Sequence, residues 1–339
     1  MAIQKYTVSN DPAIYEAWPD LVQTDSGKLI CVFSECAHHG NRDDARIVLC
    51  ESTDRGRSWS EKRPLTERGK RDNFYNCARI SKLSDGRLVI ICDKVYGDEN
   101  RAAENHIWFA DAEGISWSGP VILPFCGIVP DKVLELKNGR WIVAAHFMNG
   151  ETKKCEQFLW YSDDRGMTWS DRVTVASDAR YSLCEVSIYE CEDETLVAFM
   201  RENSGLGYDC LKAISHDHGS SWEGVYHCPI PACHRPVAGR LQSGNIMLTH
   251  RYMQGGTCWT QNLFAAFFTE EDAKCVERQL QGTRILPLDF DRNEHPDQGY
   301  TGWTQFDDGE IYVVNYIKDN ADKGQIRGYS FYEDEFVLK

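Results

Sequence analysis

Arg201, Arg235, Arg251, Glu185, Asp93, His146, Tyr300 and Tyr316 are the residues of this 339-residue chain best suited to hold a polar ligand or move a proton. Spacing connects them. Tyr300 lies nine residues before Gly309, and Tyr316 lies seven after it. If Gly309 marks a tight hairpin turn, the two tyrosines stand roughly opposite each other at the hairpin's open end and project from one face. The same offsets from five related turns define two rings. The strand-one ring is Trp18, Cys77, Pro130, Glu185, Arg235 and Tyr300, and the strand-two ring is Ser34, Asp93, His146, Arg201, Arg251 and Tyr316. Arg and Glu seldom crowd together unless paired. The convergence therefore reads as a ligand site, and guanidinium groups suit bidentate binding of a planar carboxylate.

The elements that must position these residues repeat along the chain. A pattern of a turn residue, Gly, one variable residue and an apolar run occurs at Gly27, Gly86, Gly139, Gly244 and Gly309, with Glu194 standing in the fourth copy. The intervals are 59, 53, 55, 50 and 65 residues. Each copy predicts a β-hairpin. A second pattern, S-x-D-x-G-x-(S/T)-W, occurs at residues 52–59, 162–169 and 215–222, with a decayed copy at 110–117. Asp and Gly suit a tight turn, and the terminal Trp anchors it on an apolar layer. Six repeats of this size, each with room for four strands, predict an all-β fold, a six-bladed β-propeller occupying 1–339 as one domain. Residues 3–8 and 328–332 are expected to share a blade and so close the ring. Helical signals are nearly absent, and residues 270–273 make only a short stretch. An assembly of β-sandwiches would also show short strands, but gives no reason for six spaced units.

Composition narrows the function. A formal charge of −15 lacks the basic footprint that nucleic acid requires. No run of about 18 uncharged apolar residues exists to cross a membrane. The N-terminus has no apolar signal core, and a cytoplasmic location is the expectation. The fourteen cysteines are scattered, often within apolar runs, and read as reduced core thiols rather than as a disulfide framework. Cys228 and Cys233 are too widely spaced for a CxxC pair, and no second pair follows, so no metal site is expected.

The S-x-D-x-G-x-(S/T)-W turns resemble the Asp boxes of the sialidase (neuraminidase) superfamily, and the resemblance runs over essentially the whole chain. Two segments sharpen it. Glu185-Val186-Ser187-Ile188-Tyr189-Glu190, followed by Phe199-Met200-Arg201, resembles the segment with the catalytic glutamate and a carboxylate-binding arginine. Tyr300-Thr301-Gly302-Trp303 resembles the segment with the tyrosine nucleophile. The resemblance implies Tyr300 as nucleophile, Glu185 as its base, and Arg201 and Arg251 as two of three carboxylate-binding arginines. A neutral phenol can approach an anomeric carbon that carries a carboxylate without the repulsion a carboxylate nucleophile would meet. This chemistry calls for no metal or organic cofactor.

The chain departs from the family in two places. Where the family carries its first-blade arginine, the sequence reads Tyr15-Glu16-Ala17-Trp18-Pro19. Arg235 could supply the third guanidinium, or the pocket could suit another sugar. The acid is also open. In the family it is an aspartate in the loop after the first hairpin, which makes Asp43 or Asp44 the nearest match, with Asp93 and His146 as competitors. The expectation is a retaining exo-glycosidase acting on a terminal, sialic-acid-like sugar of a glycan or small saccharide. The alternatives are a propeller glycosidase for a non-sialic sugar and a non-catalytic carbohydrate-binding propeller. The sequence does not indicate an oligomeric state.

Overall fold

The structure is a computed structural model that describes residues 3–70, 73–96, 102–255 and 260–336. It is nearly all β and forms six four-stranded antiparallel sheets, the blades of a six-bladed propeller. Blade one runs through Tyr15–Gln23, Leu29–Cys36, Arg46–Ser52 and Arg63–Pro64. Blades two to five follow in the same meander, and blade six begins at Gln298–Gln305. Its last strand is the N-terminal segment Gln4–Ser9, paired with Gln325–Tyr332. The expected sharing of a blade by the two ends is thus present, and it covers an edge that would otherwise be open. The single α-helix among the described residues, Glu270–Lys274, is capped by Thr269 and Asp272 in a reciprocal capping box. Among the described residues no helix is long and apolar enough to cross a membrane.

By packing, the chain divides into two compact units. Unit one is residues 1–132 with 290–339, and unit two is residues 133–289. Unit one carries blades one, two and six, and unit two carries blades three to five. Each buries continuous apolar clusters between its sheets, such as Leu21, Phe33, Val48 and Val314 in unit one and Leu159, Leu183, Met200 and Leu211 in unit two. Among the described residues the cysteines are free thiols, and most are buried in these layers.

All six hairpins close with the same pair of backbone bonds. Gly27 N donates to Thr24 O and Thr24 N to Lys28 O, and the equivalent pairs recur around Gly86, Gly139, Gly244 and Gly309. In the fourth copy Glu194 N donates to Cys191 O and Cys191 N to Thr195 O, and Glu194 stands at φ 64°, within the left-handed region its glycine counterparts occupy. Loss of Gly there costs backbone strain without shifting the register.

The boxes are equally uniform. In the first, Ser58 N and Oγ both donate to the Asp54 carboxylate, at 2.9 and 2.6 Å, and Gly56 N donates to Ser52 Oγ at 2.8 Å. The Thr168 and Ser221 copies repeat this on Asp164 and Asp217. In the decayed copy Ala110 offers no hydroxyl, and Asp111 gathers the amides of Glu113, Ile115 and Ser116 instead. Every box joins the third strand of a blade to the fourth, away from the ring residues on strands one and two.

Candidate active site

The strand-one ring has a backbone signature. Trp18, Cys77, Glu185, Arg235 and Tyr300 all have positive φ, between 46° and 56°. Each lies at a break in the register of the first two strands of its blade. A bulge inserts one residue, swings its side chain out of the pleat and aims it away from the strand pair. Non-glycine residues held in this region are strained, and such strain collects at functional positions. The third member differs from the sequence expectation. The left-handed residue is Val129, at φ 49°, not Pro130. Blade three has only a two-residue first strand, Leu134–Glu135, and its approach to the turn is one residue longer. On strand two the expected partners lie beside the bulges: Ser34 pairs with Ala17, Asp93 with Asn76, Arg201 with Cys184, Arg251 with His234 and Tyr316 with Gly299.

In unit one the ring residues build an aromatic and hydroxyl-rich cluster. Tyr300, 7% exposed, lies 6.3 Å from Tyr316 between ring centroids, and Tyr316 lies 6.2 Å from Trp18. The Tyr316 hydroxyl donates to Asp297 Oδ1 at 2.7 Å, and the Tyr15 hydroxyl donates to Asp297 Oδ2. Burial, followed by the charges of Tyr316 and Asp297, pushes the Tyr15 hydroxyl well above its ordinary range. The Tyr300 bulge is clamped from several sides. Gly299 N donates to Asn315 Oδ1 at 2.9 Å, and Arg79 donates to Thr301 O at 2.9 Å. A side chain at Gly302 would collide with the backbone of Asp20 and Leu21, so only glycine lets these strands approach so closely. Asp20 in turn pairs with Arg79 at 3.4 Å and Lys132 at 3.1 Å and accepts from Ile80 N.

Asp93 is fully buried in the same unit. Burial raises its carboxyl to about 6, against the opposing pull of the Val129 amide and the Asn76 side chain. Arg42 donates to Asn76 Oδ1 at 2.6 Å and lies over the Trp18 ring at 4.9 Å. The two loop aspartates are engaged locally. Asp44 accepts from Ala37 N and pairs with Arg68 at 3.5 Å, while exposed Asp43 donates its amide to Asn41. Sequence reasoning had no reason to select His39, Asp297 or Tyr15. His39 sits in the loop searched for an acid, but a histidine is not the family's residue type there.

Unit two gathers the cations. Arg201 Nη1 donates to Glu185 Oε2 at 2.8 Å, and Arg251 donates to Gln261 at 3.3 Å. Burial would raise the Glu185 carboxyl, but Arg201, Arg251 and Arg235 together outweigh it and hold the group below its usual range. Arg201 holds this carboxylate directly, and the charges of Arg251 and Arg235 add to its pull. His146 is buried beside them. Burial is the main cause and Arg201 and Arg235 add to it, so its imidazole falls to about 4 despite Glu185. His234 is likewise driven well down, first by burial and then by Arg201 and Arg251. Both imidazoles are neutral, as expected beside a surplus of positive charge. Among the described residues no three His, Cys, Asp or Glu side chains converge as a metal site.

A cavity of about 630 Å³ opens at the turn end of the unit-one strands, lined by Gln23, Asp25, Lys82, Lys132 and Trp303. It contains none of the ring residues.

Residues 27–255 match the family described as BNR repeat-like domain. No curated protein matches the chain. Among solved structures, a protein of unknown function from Dyadobacter fermentans is 20% identical, with a TM-score of 0.80 over 97% of this chain and 98% of that one. The Hadza microbial sialidase Hz136 is 17% identical, with a TM-score of 0.71 over 95% and 66%. The intramolecular trans-sialidase of Ruminococcus gnavus, solved with oseltamivir carboxylate, is 14% identical, with a TM-score of 0.70 over 96% of both chains. At these identities the likeness is one of fold.

Proposed function

The chain belongs to the BNR repeat-like family and shares the sialidase-like propeller, and on that premise we propose that it is a retaining exo-glycosidase for a terminal acidic sugar of the sialic-acid type. One observation carries the reading: Arg201 bonds the Glu185 carboxylate at 2.8 Å, and the charges of Arg251 and Arg235 reach the same group. A sugar carboxylate entering that cluster would find the planar donors it requires. Arg235 then takes the part of the first-blade arginine that Ala17 replaces.

In this reading Tyr300 attacks the anomeric carbon and Glu185 accepts its proton, giving a covalent glycosyl–enzyme that water later cleaves. Before substrate arrives, the arginines make Glu185 a weak base. A bound sugar carboxylate shares their charge, which raises the proton affinity of Glu185 at the moment Tyr300 must be deprotonated. Base strength is thereby coupled to recognition. Trp18, His146 and Tyr316 shape the pocket, and Asp43, Asp44 and Asp93 are the aspartates available to the leaving group. Asp93 carries a raised carboxyl, suited to holding a proton near neutral pH.

A second reading, a glycosidase for a non-sialic sugar, is favoured by one observation. Tyr15, Tyr316 and Asp297 form a hydroxyl and carboxylate cluster suited to sugar hydroxyls. Aryl glycosides of sialic acid, glucuronic acid and neutral hexoses, assayed side by side, test both. Turnover of the sialoside supports the first reading, turnover of another sugar supports the second, and binding without turnover defeats both.

A further inference from the structure

The bond between His39 and Asp297 joins a histidine with no role in the readings above to a carboxylate that enters only the second of them. His39 Nδ1 lies 2.6 Å from Asp297 Oδ2. Asp297 also accepts hydrogen bonds from the Tyr15 and Tyr316 hydroxyls. With the carboxylate ionised, Nδ1 carries its proton toward Asp297 and Nε2 is the working nitrogen. Among the described residues no hydrogen bond engages Nε2, and the imidazole is 37% exposed where Asp297 is 13%. One nitrogen is anchored inside the fold and the other is open. A carboxylate that orients an imidazole while the far ring nitrogen stays open is the arrangement of a general acid–base dyad.

The dyad also lies among the right neighbours. The His39 ring meets the edge of Trp18 at 5.2 Å, Trp18 lies 6.2 Å from Tyr316, and Tyr316 lies 6.3 Å from Tyr300, so one aromatic cluster holds both His39 and Tyr300. Arg42 Nε donates to His39 O at 3.2 Å and pins the loop. The nearby aspartates are occupied differently. Asp44 clasps Ala37 and Arg68, and Asp43 is turned to solvent.

We propose that His39, held by Asp297, is the proton donor to the leaving group in the glycosidase reaction proposed above. As the Tyr300 oxygen bonds to the anomeric carbon, the bond from that carbon to the leaving-group oxygen breaks, and that oxygen takes the proton from His39 Nε2. In the second half, Nε2 takes a proton from water as the water oxygen displaces Tyr300 from the sugar. The dyad ends as it began, and the balance is hydrolysis with no further reactant. This rests on the glycosidase reading and can fail separately from it.

The test compares two substrates of the same sugar, one with a saccharide leaving group and one with 2,4-dinitrophenolate, which departs without a proton. For His39→Gln, kcat/KM on the saccharide substrate should fall about 10²–10⁴-fold and on the dinitrophenyl substrate less than about tenfold. Asp297→Asn should show the same selectivity, while His39→Gln avoids disturbing the Tyr15 and Tyr316 bonds. Equal losses on both substrates, or none on either, overturn the dyad and leave the glycosidase reading standing. A wild-type protein that cleaves neither substrate overturns both.

Discussion

The two units use one backbone device for opposite chemistry. Glu185 and Tyr300 occupy the same bulge, nine residues before the same turn, with φ of 46° and 55°. In unit one the surroundings are phenols, an indole and carboxylates, with Asp297 collecting donors. In unit two they are guanidinium groups and neutral imidazoles, with Glu185 accepting from Arg201. A propeller thus fixes where a side chain emerges and leaves its chemistry to the residue type at that position. The first unit presents hydroxyls and carboxylates at these positions, and the second presents cations around one carboxylate.

That division is broken most severely at Tyr300. Tyr300→Phe removes the hydroxyl and keeps the ring against Tyr316, so the fold should persist while turnover falls by at least about 10³-fold. Circular dichroism and thermal melting check the first half, and steady-state rates the second. Retained turnover would place the nucleophile elsewhere. The matching change in unit two is smaller and different in kind. Arg251→Lys keeps the charge but loses the planar fork, so kcat/KM for an acidic sugar should fall about 10–100-fold, mostly through KM. A neutral aryl glycoside should be cleaved unchanged, and an equal loss on both would remove Arg251 from carboxylate recognition.

Stability should also respond to pH with opposite sign in the two clusters. Asp93 has a raised carboxyl, near 6 instead of the ordinary 3.8. Between those values the folded state binds more protons than the unfolded one, so its contribution is full below about 4 and is lost as pH rises through about 6. Asp93→Asn should therefore stabilise the protein at pH 7, by up to about 3 kcal/mol. His146 is lowered to about 4 from 6.5. There the unfolded state binds more protons, so stability is full above about 6.5 and is lost as pH falls toward about 4. His146→Gln should flatten that acid-side slope by up to about 3 kcal/mol. Urea titrations from pH 4 to 8 measure both, and slopes of the same sign would contradict the electrostatic contrast.

The sequence showed the fold well, because each repeat carries its own turn chemistry. Six hairpin turns and three intact boxes are local signals, readable without knowing what packs on what. Ring membership was legible for the same reason, since a fixed offset from a turn survives wherever the strand length does. It failed by one residue at Val129 because that stretch is longer. The His39–Asp297 contact was not legible, being a pairing across 258 positions between a loop and the approach to a different blade. Nor was the state of Asp93 or His146, because burial and neighbouring charge, not residue type, set it.

The smallest effect is expected where neither cluster is touched. Asp54, the centre of the first box, is exposed, and the Ser58 hydroxyl and amide hold its carboxyl down at about 2. Solvent screens that charge, so its value lies in fixing the turn rather than in electrostatics. Asp54→Ala removes the acceptor for Ser58 N and Oγ but leaves Gly56 N on Ser52 Oγ and Trp59 on Gly56 O. The turn should loosen without opening, lowering Tm by about 2 °C. Because the box joins strands three and four, the bulges at Trp18 and Tyr300 should not move, and kcat/KM should equal that of the wild type. A loss of activity beyond the loss of folded protein would mean that the outer turns help set the geometry of the ring. The backbone device shared by the two units would then depend on the whole blade rather than on its first two strands.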